Sequence, residues 1–591
     1  MPLEAVTIVE LSQPRCSLRF GIGACTATGT PKCYNTRTTC RARAAYDGLG
    51  SIRWRFVKDK PGNWPVGDFS AANAPATNAI PVPGLDVTVA AGSLNASGVL
   101  DGKSPAGVRS RVTVTMGDIP WNDAFGDFYL ADRVSLPQRN FWACWAARNM
   151  FFGGMYLTVY DGYVGDTLAA MRQRVFAVDN VSGPDGDGKV TITGMDPLML
   201  ATQRKSKFPE DMDVRLTTAI TAAQTTIRVT ATEPDKLTKI YGNLSGIYHL
   251  KIGSEVLSYT GTTLIDTGVY DLTGCVRSVL GTAAAADIDT RCQRVGRYED
   301  MPTWDIGFDL LTVHTPMPAT YADHVTWADE GDTYLPTLRS TAWVLEPTLV
   351  DDLMGELCQQ GQFYFWWDEY AQKVLMQAVR PPRGTVTVLE SSGNIVAGSA
   401  QLARDPDSLV TRVFVYYGQI DPFKSSTEAA NYSAVSGRIE GDVEHANAAG
   451  GPKPLSIFAR WVNSEAHAVQ ILQRILSRYA SVPRFLTLSL DAKDRLITVG
   501  DVCDVTTKEI VDSEGRILSN RWQVISWKEV RPGEVYLIDL QTYDYVGAFA
   551  YWMADGSPDW LAATADQKAV GAWWAADDGT YPDGTSGYQW N

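Results

Sequence analysis

A chain of 591 residues is too long for one hydrophobic core, so roughly three to five domains are expected. Its composition, 45% hydrophobic, 10% aromatic and 20% charged, is that of a folded protein. Fifty-two basic against 67 acidic residues give −15, which excludes a general nucleic-acid binder that neutralises phosphates over its whole surface.

No run approaches the roughly 18 consecutive apolar residues of a membrane-spanning helix. Met1-Pro2-Leu3-Glu4 has neither the basic start nor the apolar run of a secretory signal, so a protein made in the cytoplasm is expected. Fifty-one Gly and 30 Pro, against two or three convincing helical stretches, predict a mainly β, multi-domain chain of barrel- or sandwich-like units with some α+β parts.

Residues 1–64 form a cysteine-cluster N-terminal region. Four of the nine cysteines, Cys16, Cys25, Cys33 and Cys40, fall within 25 residues, spaced C-x8-C-x7-C-x6-C. Four thiolates on one Gly- and Thr-rich segment suit a tetrahedral zinc ion or an iron–sulfur cluster. Two disulfides or four free thiols are the other readings. The spacing is not the paired C-x2-C knuckle of zinc ribbons, and long even gaps mildly favour a ligand wider than one ion. Residues 1–60 carry +6 while the remainder carries −21, and nearby Arg side chains would stabilise an anionic cluster. Cys144, Cys275, Cys292, Cys358 and Cys503 are isolated and receive no role.

Ala71–Pro83 reads as a loop or linker. Residues 65–212 are predicted to form a first β domain, with Val87, Val89, Val99, Val108, Val112 and Val114 on half-buried strands and further strands at Arg148–Tyr163 and Val175–Ile192. Gly183-Pro184-Asp185-Gly186-Asp187-Gly188 resembles a calcium loop. Lys189 stands where an oxygen ligand belongs, so a hairpin turn is expected. Residues 213–298 read as a small inserted β module and 299–345 as the return to the first domain.

Residues 346–545 are read as a second, α+β domain. A helix is expected over Thr348–Gln360, capped by Thr348 and followed by Gly361, and another over Ser464–Ala480, capped by Ser464 with Arg474 and Arg478 outward. Between them Phe363-Tyr364-Phe365-Trp366-Trp367 predicts a strand buried on both faces. Residues 541–591 hold five of the 18 Trp, seven Asp and one Lys; 546–591 are assigned as an acidic, Trp-rich tail lying on another chain or on the protein's own surface.

The five histidines form no H-x3-H or HExxH pattern, and no G-x-S-x-G elbow, Walker A loop or dinucleotide fingerprint occurs. No catalytic residue is assigned, and no enzyme is expected.

Pro14-Arg15-Cys16, Gly23-Ala24-Cys25 and Lys32-Cys33-Tyr34-Asn35-Thr36-Arg37-Thr38-Thr39-Cys40 carry a family resemblance. The last resembles the CxNTxxTC segment of baseplate hub, or tail-tip, proteins of long non-contractile-tailed bacteriophages and gene transfer agents. Arg111–Pro120, Leu280-Gly281-Thr282 and Val499-Gly500-Asp501-Val502 are similar to the same family, so the likeness touches residues 4 to about 545. It implies a virion protein assembled in the host cytoplasm: a homotrimeric, ring-forming hub that closes the distal end of the tail tube and adapts its sixfold symmetry to a threefold tip. Implied partners are a distal tail protein, the tape-measure protein and tip or central fibre proteins, with DNA passing through the channel at ejection without specific binding. The resemblance also implies a 4Fe–4S cluster on Cys16, Cys25, Cys33 and Cys40. Hubs of the lambda type carry their cluster cysteines near the C-terminal end, so the ligand set here is that of a variant with the N-terminal motif.

Physical arguments run the same way: an acidic channel passes DNA without sticking, and a cluster can order a loop poor in hydrophobic residues. The competing reading is a phage-borne or secreted carbohydrate-binding or cell-wall-degrading β protein using the Trp/Asp-rich end. A redox enzyme would need a second cofactor motif, which the sequence lacks.

Overall fold

In the computed structural model the described residues are 5–58, 79–90, 92–103, 105–121, 127–133, 139–163, 166–201, 206–369, 371–380, 382, 386–440, 451–494, 496–531, 535–543, 551–552, 556, 558–573 and 580–584. The protein is mainly β and built from several sheets, each with its own core.

The first sheet has eight strands in the order Ala79–Val82, Gly50–Lys58, Ala5–Arg15, Tyr156–Tyr163, Arg172–Ser182, Lys189–Met195, Arg111–Gly117 and Asp86–Ala90. Alternation decides its inner face: Val112, Val114 and Met116 are buried, while Thr113 and Thr115 between them are only half-buried. The two terminal strands share no ladder, so the expected barrel does not close among the described residues. The strand predicted from Arg148 begins only at Tyr156. Phe141–Arg148 ahead of it is a helix, because Phe141, Trp142 and Trp145 fall on one side and pack on Trp54 and Phe56 of the sheet. Of the expected linker, Ala79–Val82 is a strand running parallel to Gly50–Lys58, and residues 59–78, with Trp64, lie outside the described residues.

The Gly183–Gly188 segment is the predicted hairpin turn. Asp185 Oδ1 accepts from the backbone N–H groups of Asp187 (3.0 Å) and Lys189 (2.8 Å), which uses the carboxylate inside the turn.

Residues 214–302 form the nine-stranded inserted sheet together with Arg339–Val344, which pairs with the outer half of Arg291–Pro302. Its core holds Arg294, 1% exposed, whose guanidinium donates to the carbonyls of His249, Lys236, Leu237 and Lys239. Two helices not predicted, Thr303–Val313 and His324–Tyr334, follow the strand.

The helix predicted at 348–360 spans Val350–Gly361. Thr348 does not cap it; it pairs with Phe208 in a short ladder, and Gln362, not Gly361, takes the left-handed position at the helix end (φ 54°). Phe363–Asp368 is buried at all six positions, as expected.

The helix Glu465–Tyr479 is capped by Ser464, whose Oγ accepts from His467 N at 3.3 Å, and it covers a three-stranded sheet. Arg474 and Arg478 do not face outward. They are 2% and 4% exposed, with Arg478 donating to Tyr364 Oη and Gln523 Oε1 at 2.7 Å each. The last sheet orders Thr387–Glu390, Val502–Val511, Ile517–Arg531, Val535–Thr542, Arg484–Asp491 and Gln401–Arg404. Beyond it, Trp560 is 7% exposed, stacked 3.9 Å from Tyr581 and bonded through Nε1 to Asp583 at 2.6 Å. The described C-terminal residues thus carry a small core of their own. No helix among the described residues is long and apolar enough to cross a membrane.

Candidate metal centre

The four cysteines leave the first sheet together. Cys16 follows the last residue of the strand Ala5–Arg15, and the chain returns to the sheet at Gly50, paired with Arg15. Between these points the loop has few apolar residues and little regular structure, so backbone and side-chain hydrogen bonds must hold it.

The CxNTxxTC segment supplies them. Asn35 sits in the left-handed region (φ 59°), 1% exposed, and its Nδ2 donates to the carbonyls of Cys16 (3.2 Å) and Leu18 (3.0 Å). Its own carbonyl accepts from Cys16 N at 2.8 Å. Thr36 Oγ1 donates to the Arg148 carbonyl at the end of the aromatic helix (2.7 Å), and Thr39 Oγ1 accepts from Tyr34 N (3.0 Å). Thr38 Oγ1 accepts from Met150 N at 3.0 Å. Each named position of the motif other than the thiols therefore ties the loop to itself or to the sheet.

Charge is arranged around the same loop. The guanidinium carbons of Arg133 and Arg148 each lie 3.8 Å from the Tyr34 ring centroid. Arg133 also donates to the carbonyls of Lys32 and Cys33 at 2.9 Å and pairs with Asp127 at 2.5 Å. Asp47 accepts from Ser17 Oγ and Ser17 N, and these bonds hold its carboxyl down to about 2.

Cys16 and Cys25 are buried, Cys33 and Cys40 half-buried, and all four are free thiols in this structure. Burial pushes the Cys33 thiol up, and the nearby Cys40, Cys25 and Cys16 push it further, so the four sulfurs share one electrostatic neighbourhood. Arg15 feels the Cys33 sulfur as well. Among the described residues, however, no three Cys, His, Asp or Glu side chains are arranged to close on one metal ion. Asn35 Oδ1 is buried without a hydrogen-bond partner beside these thiols.

The other five cysteines are scattered. Cys292, Cys358 and Cys503 lie in three separate cores, with Cys292 and Cys503 pushed up to about 12 by burial. They act as small hydrophobes. Cys144 lines a small cleft of about 40 Å³ between the aromatic helix and the loop, with Arg148 of the helix and Tyr34 and Thr36 of the loop.

Sequence reasoning missed Asn35, Arg133, Arg148 and Asp47. The motif held the signal for Asn35, since an Asn between cysteines is a candidate left-handed residue. Arg133 and Arg148 are about a hundred residues away and carried no local signal. Two of the three other family-like segments, those around Gly281 and Gly500, are close backbone approaches. A Cβ on Gly281 (φ 77°) would stand 2.1 Å from the Ser254 carbonyl oxygen, and one on Gly500 (φ 93°) 2.7 Å from the Trp366 ring.

No protein-family model and no curated protein matches the chain. Solved structures align with it at low similarity. A 43 kDa tail protein of prophage MuSo2 from Shewanella oneidensis aligns with 9% identity and a TM-score of 0.31, covering 78% of this chain and 95% of that one. A tail protein from Neisseria meningitidis MC58 gives 9% identity and 0.31, covering 78% and 96%. A chain of a native gene transfer agent virion gives 12% and 0.30, covering 61% and 91%.

Proposed function

We propose that the chain is a structural virion protein, the baseplate or tail-tip hub that closes the distal end of a phage tail tube, adapts its sixfold symmetry to a threefold tip and forms the channel for tape-measure protein and DNA. The observation that carries the reading is the construction of the cysteine loop. Beside a sheet with a large apolar core, one long segment without a core of its own is held in place by the motif residues, with its four thiols in a common electrostatic neighbourhood. On this reading Cys16, Cys25, Cys33 and Cys40 hold a 4Fe–4S cluster. When bound, the cluster supplies a rigid cross-link among four points of the loop, so that its binding free energy becomes folding free energy of the lobe. Arg15 and Arg133 lower the cost of gathering negative charge there, while Asn35 fixes the loop's course between Cys33 and Cys40. The role is structural, and no residue is assigned to catalysis.

Static light scattering on the purified full chain tests the assembly. A particle of three chain masses supports the hub; a monomer at micromolar concentration contradicts it and favours the carbohydrate-binding reading. The described Trp560 does not favour that alternative, since its ring is covered by Tyr581 rather than presented to a ligand.

A further inference from the structure

The cysteine lobe carries an unusual concentration of uncovered apolar surface. Ile22 (64% exposed), Leu49 (83%), Phe128 (71%), Leu130, Met150 (70%) and Phe151 (64%) belong to the loop or to the two segments bonded to it. Phe128 lies beneath the Arg15 guanidinium, 4.3 Å from its ring centroid. Tyr129, between Phe128 and Leu130, accepts through its Oη from Phe20 N at 2.7 Å, and Met150 N is bonded to Thr38. The apolar side chains therefore rim one lobe rather than being scattered over the molecule. Exposed Arg19, Arg37, Arg41 and Arg43 lie on the same loop. A patch that is both apolar and basic, on a chain of net charge −15, asks for a partner that is aromatic and acidic.

The chain holds one segment of that description. Residues 541–591 have seven Asp, one Lys and five Trp, a net charge of −6 in 51 residues against −15 in the 480 residues 61–540, about four times the net negative charge per residue. The described residues of the chain's own C-terminal segment leave the lobe's apolar side chains exposed. Leu561, 64% exposed beside the Trp560 core, gives that segment an apolar contact of its own. We infer that the C-terminal segment 541–591 of one copy docks on the apolar and basic face of the cysteine lobe of a second copy, so that each copy clasps its neighbour. This rests on the reading of the chain as a self-assembling hub.

The test places a photoreactive benzoylphenylalanine at position 128, and in a second sample at 151, in the full chain with its cysteines intact. Isotopically light and heavy chains are mixed before assembly, and oligomeric state is read on the same samples. The inference expects cross-linked peptide pairs of mixed isotope joining the lobe to residues 541–591. It further expects their yield to fall roughly fivefold at physiological salt when Asp577→Asn and Asp578→Asn are combined, as the loss of two charge interactions of about 0.5 kcal/mol each gives. Pairs confined to one isotope, or pairs to any other part of the chain, overturn it. A trimer without lobe-to-tail cross-links overturns the clasp while leaving the hub reading intact, whereas a monomer removes both. Absence of cross-links with flotation of the protein on phosphatidylcholine/phosphatidylserine vesicles assigns the face to a lipid surface and also overturns it.

Discussion

Asn35 bears more of the cysteine lobe than any thiol can without a ligand. It combines a left-handed backbone with an amide that fills two carbonyls, at a position 1% exposed. Asn35→Ala forfeits both hydrogen bonds and places a Cβ-bearing residue without local compensation in the left-handed region, so it should destabilise the lobe by about 3 kcal/mol. Asn35→Gly keeps the backbone and should recover about 1 kcal/mol of that. Hydrogen exchange of residues 16–40 measures both, and unchanged protection in Asn35→Ala would contradict the role. The Asn was legible because it lies inside the cysteine motif. Arg478 was not: helical spacing placed it on the outer face, yet it is buried where Tyr364, Gln523 and Gln541 receive it from three strands. A helix covered on more than one side hides cations that its own pattern assigns to solvent. Arg478→Met should therefore destabilise by roughly 3 kcal/mol, by leaving those acceptors without their donor; wild-type urea stability would show the contacts to be dispensable.

The helix Glu465–Tyr479 carries a pH dependence. His467, 1% exposed with Nε2 at 2.8 Å from the Gln360 carbonyl, is pushed down to about 4 by burial. In the unfolded chain it takes a proton below about 6.5, but in the folded protein only near 4, so the unfolded state binds more protons across that window. Stability is then complete above pH 6.5 and falls as the pH drops towards 4, by up to about 3 kcal/mol from this residue. His249, lowered to about 4 chiefly by burial, acts with the same sign, and Asp196, raised to about 6 by burial, with the opposite sign. The specific expectation is a difference: His467→Gln should show a shallower loss of urea stability between pH 7 and pH 4.5 than the wild type. Parallel profiles would remove His467 from the acid response. At this scale the capped helix and the five-aromatic strand could be read from sequence, since cap, period and length agreed. The helices Thr303–Val313 and His324–Tyr334 could not. Gly307, Gly331 and His324 blur their periodicity, and their burial comes from packing on strands distant in the chain.

At the scale of the whole molecule, the mainly β, multi-domain character was legible from Gly and Pro content and short alternating segments. Closure of a barrel was not, because alternation reports which face is buried and says nothing about whether the end strands meet. The four-cysteine spacing was visible in the sequence; Arg133 and Arg148 reach the cysteine loop only through tertiary packing. If the cluster staples the lobe, Cys33→Ser should unfold residues 16–49 while leaving the C-terminal sheet around Trp522 intact, and Cys144→Ser should leave both folded, as hydrogen exchange would report.

The most direct measurement is iron, zinc and acid-labile sulfide analysis, with a visible absorption spectrum, on the full chain purified without oxygen. The account predicts a brown protein with about four iron and about four sulfide per chain, lost in Cys33→Ser and kept in Cys144→Ser. A colourless protein holding one zinc, or no metal with its thiols paired, would contradict it.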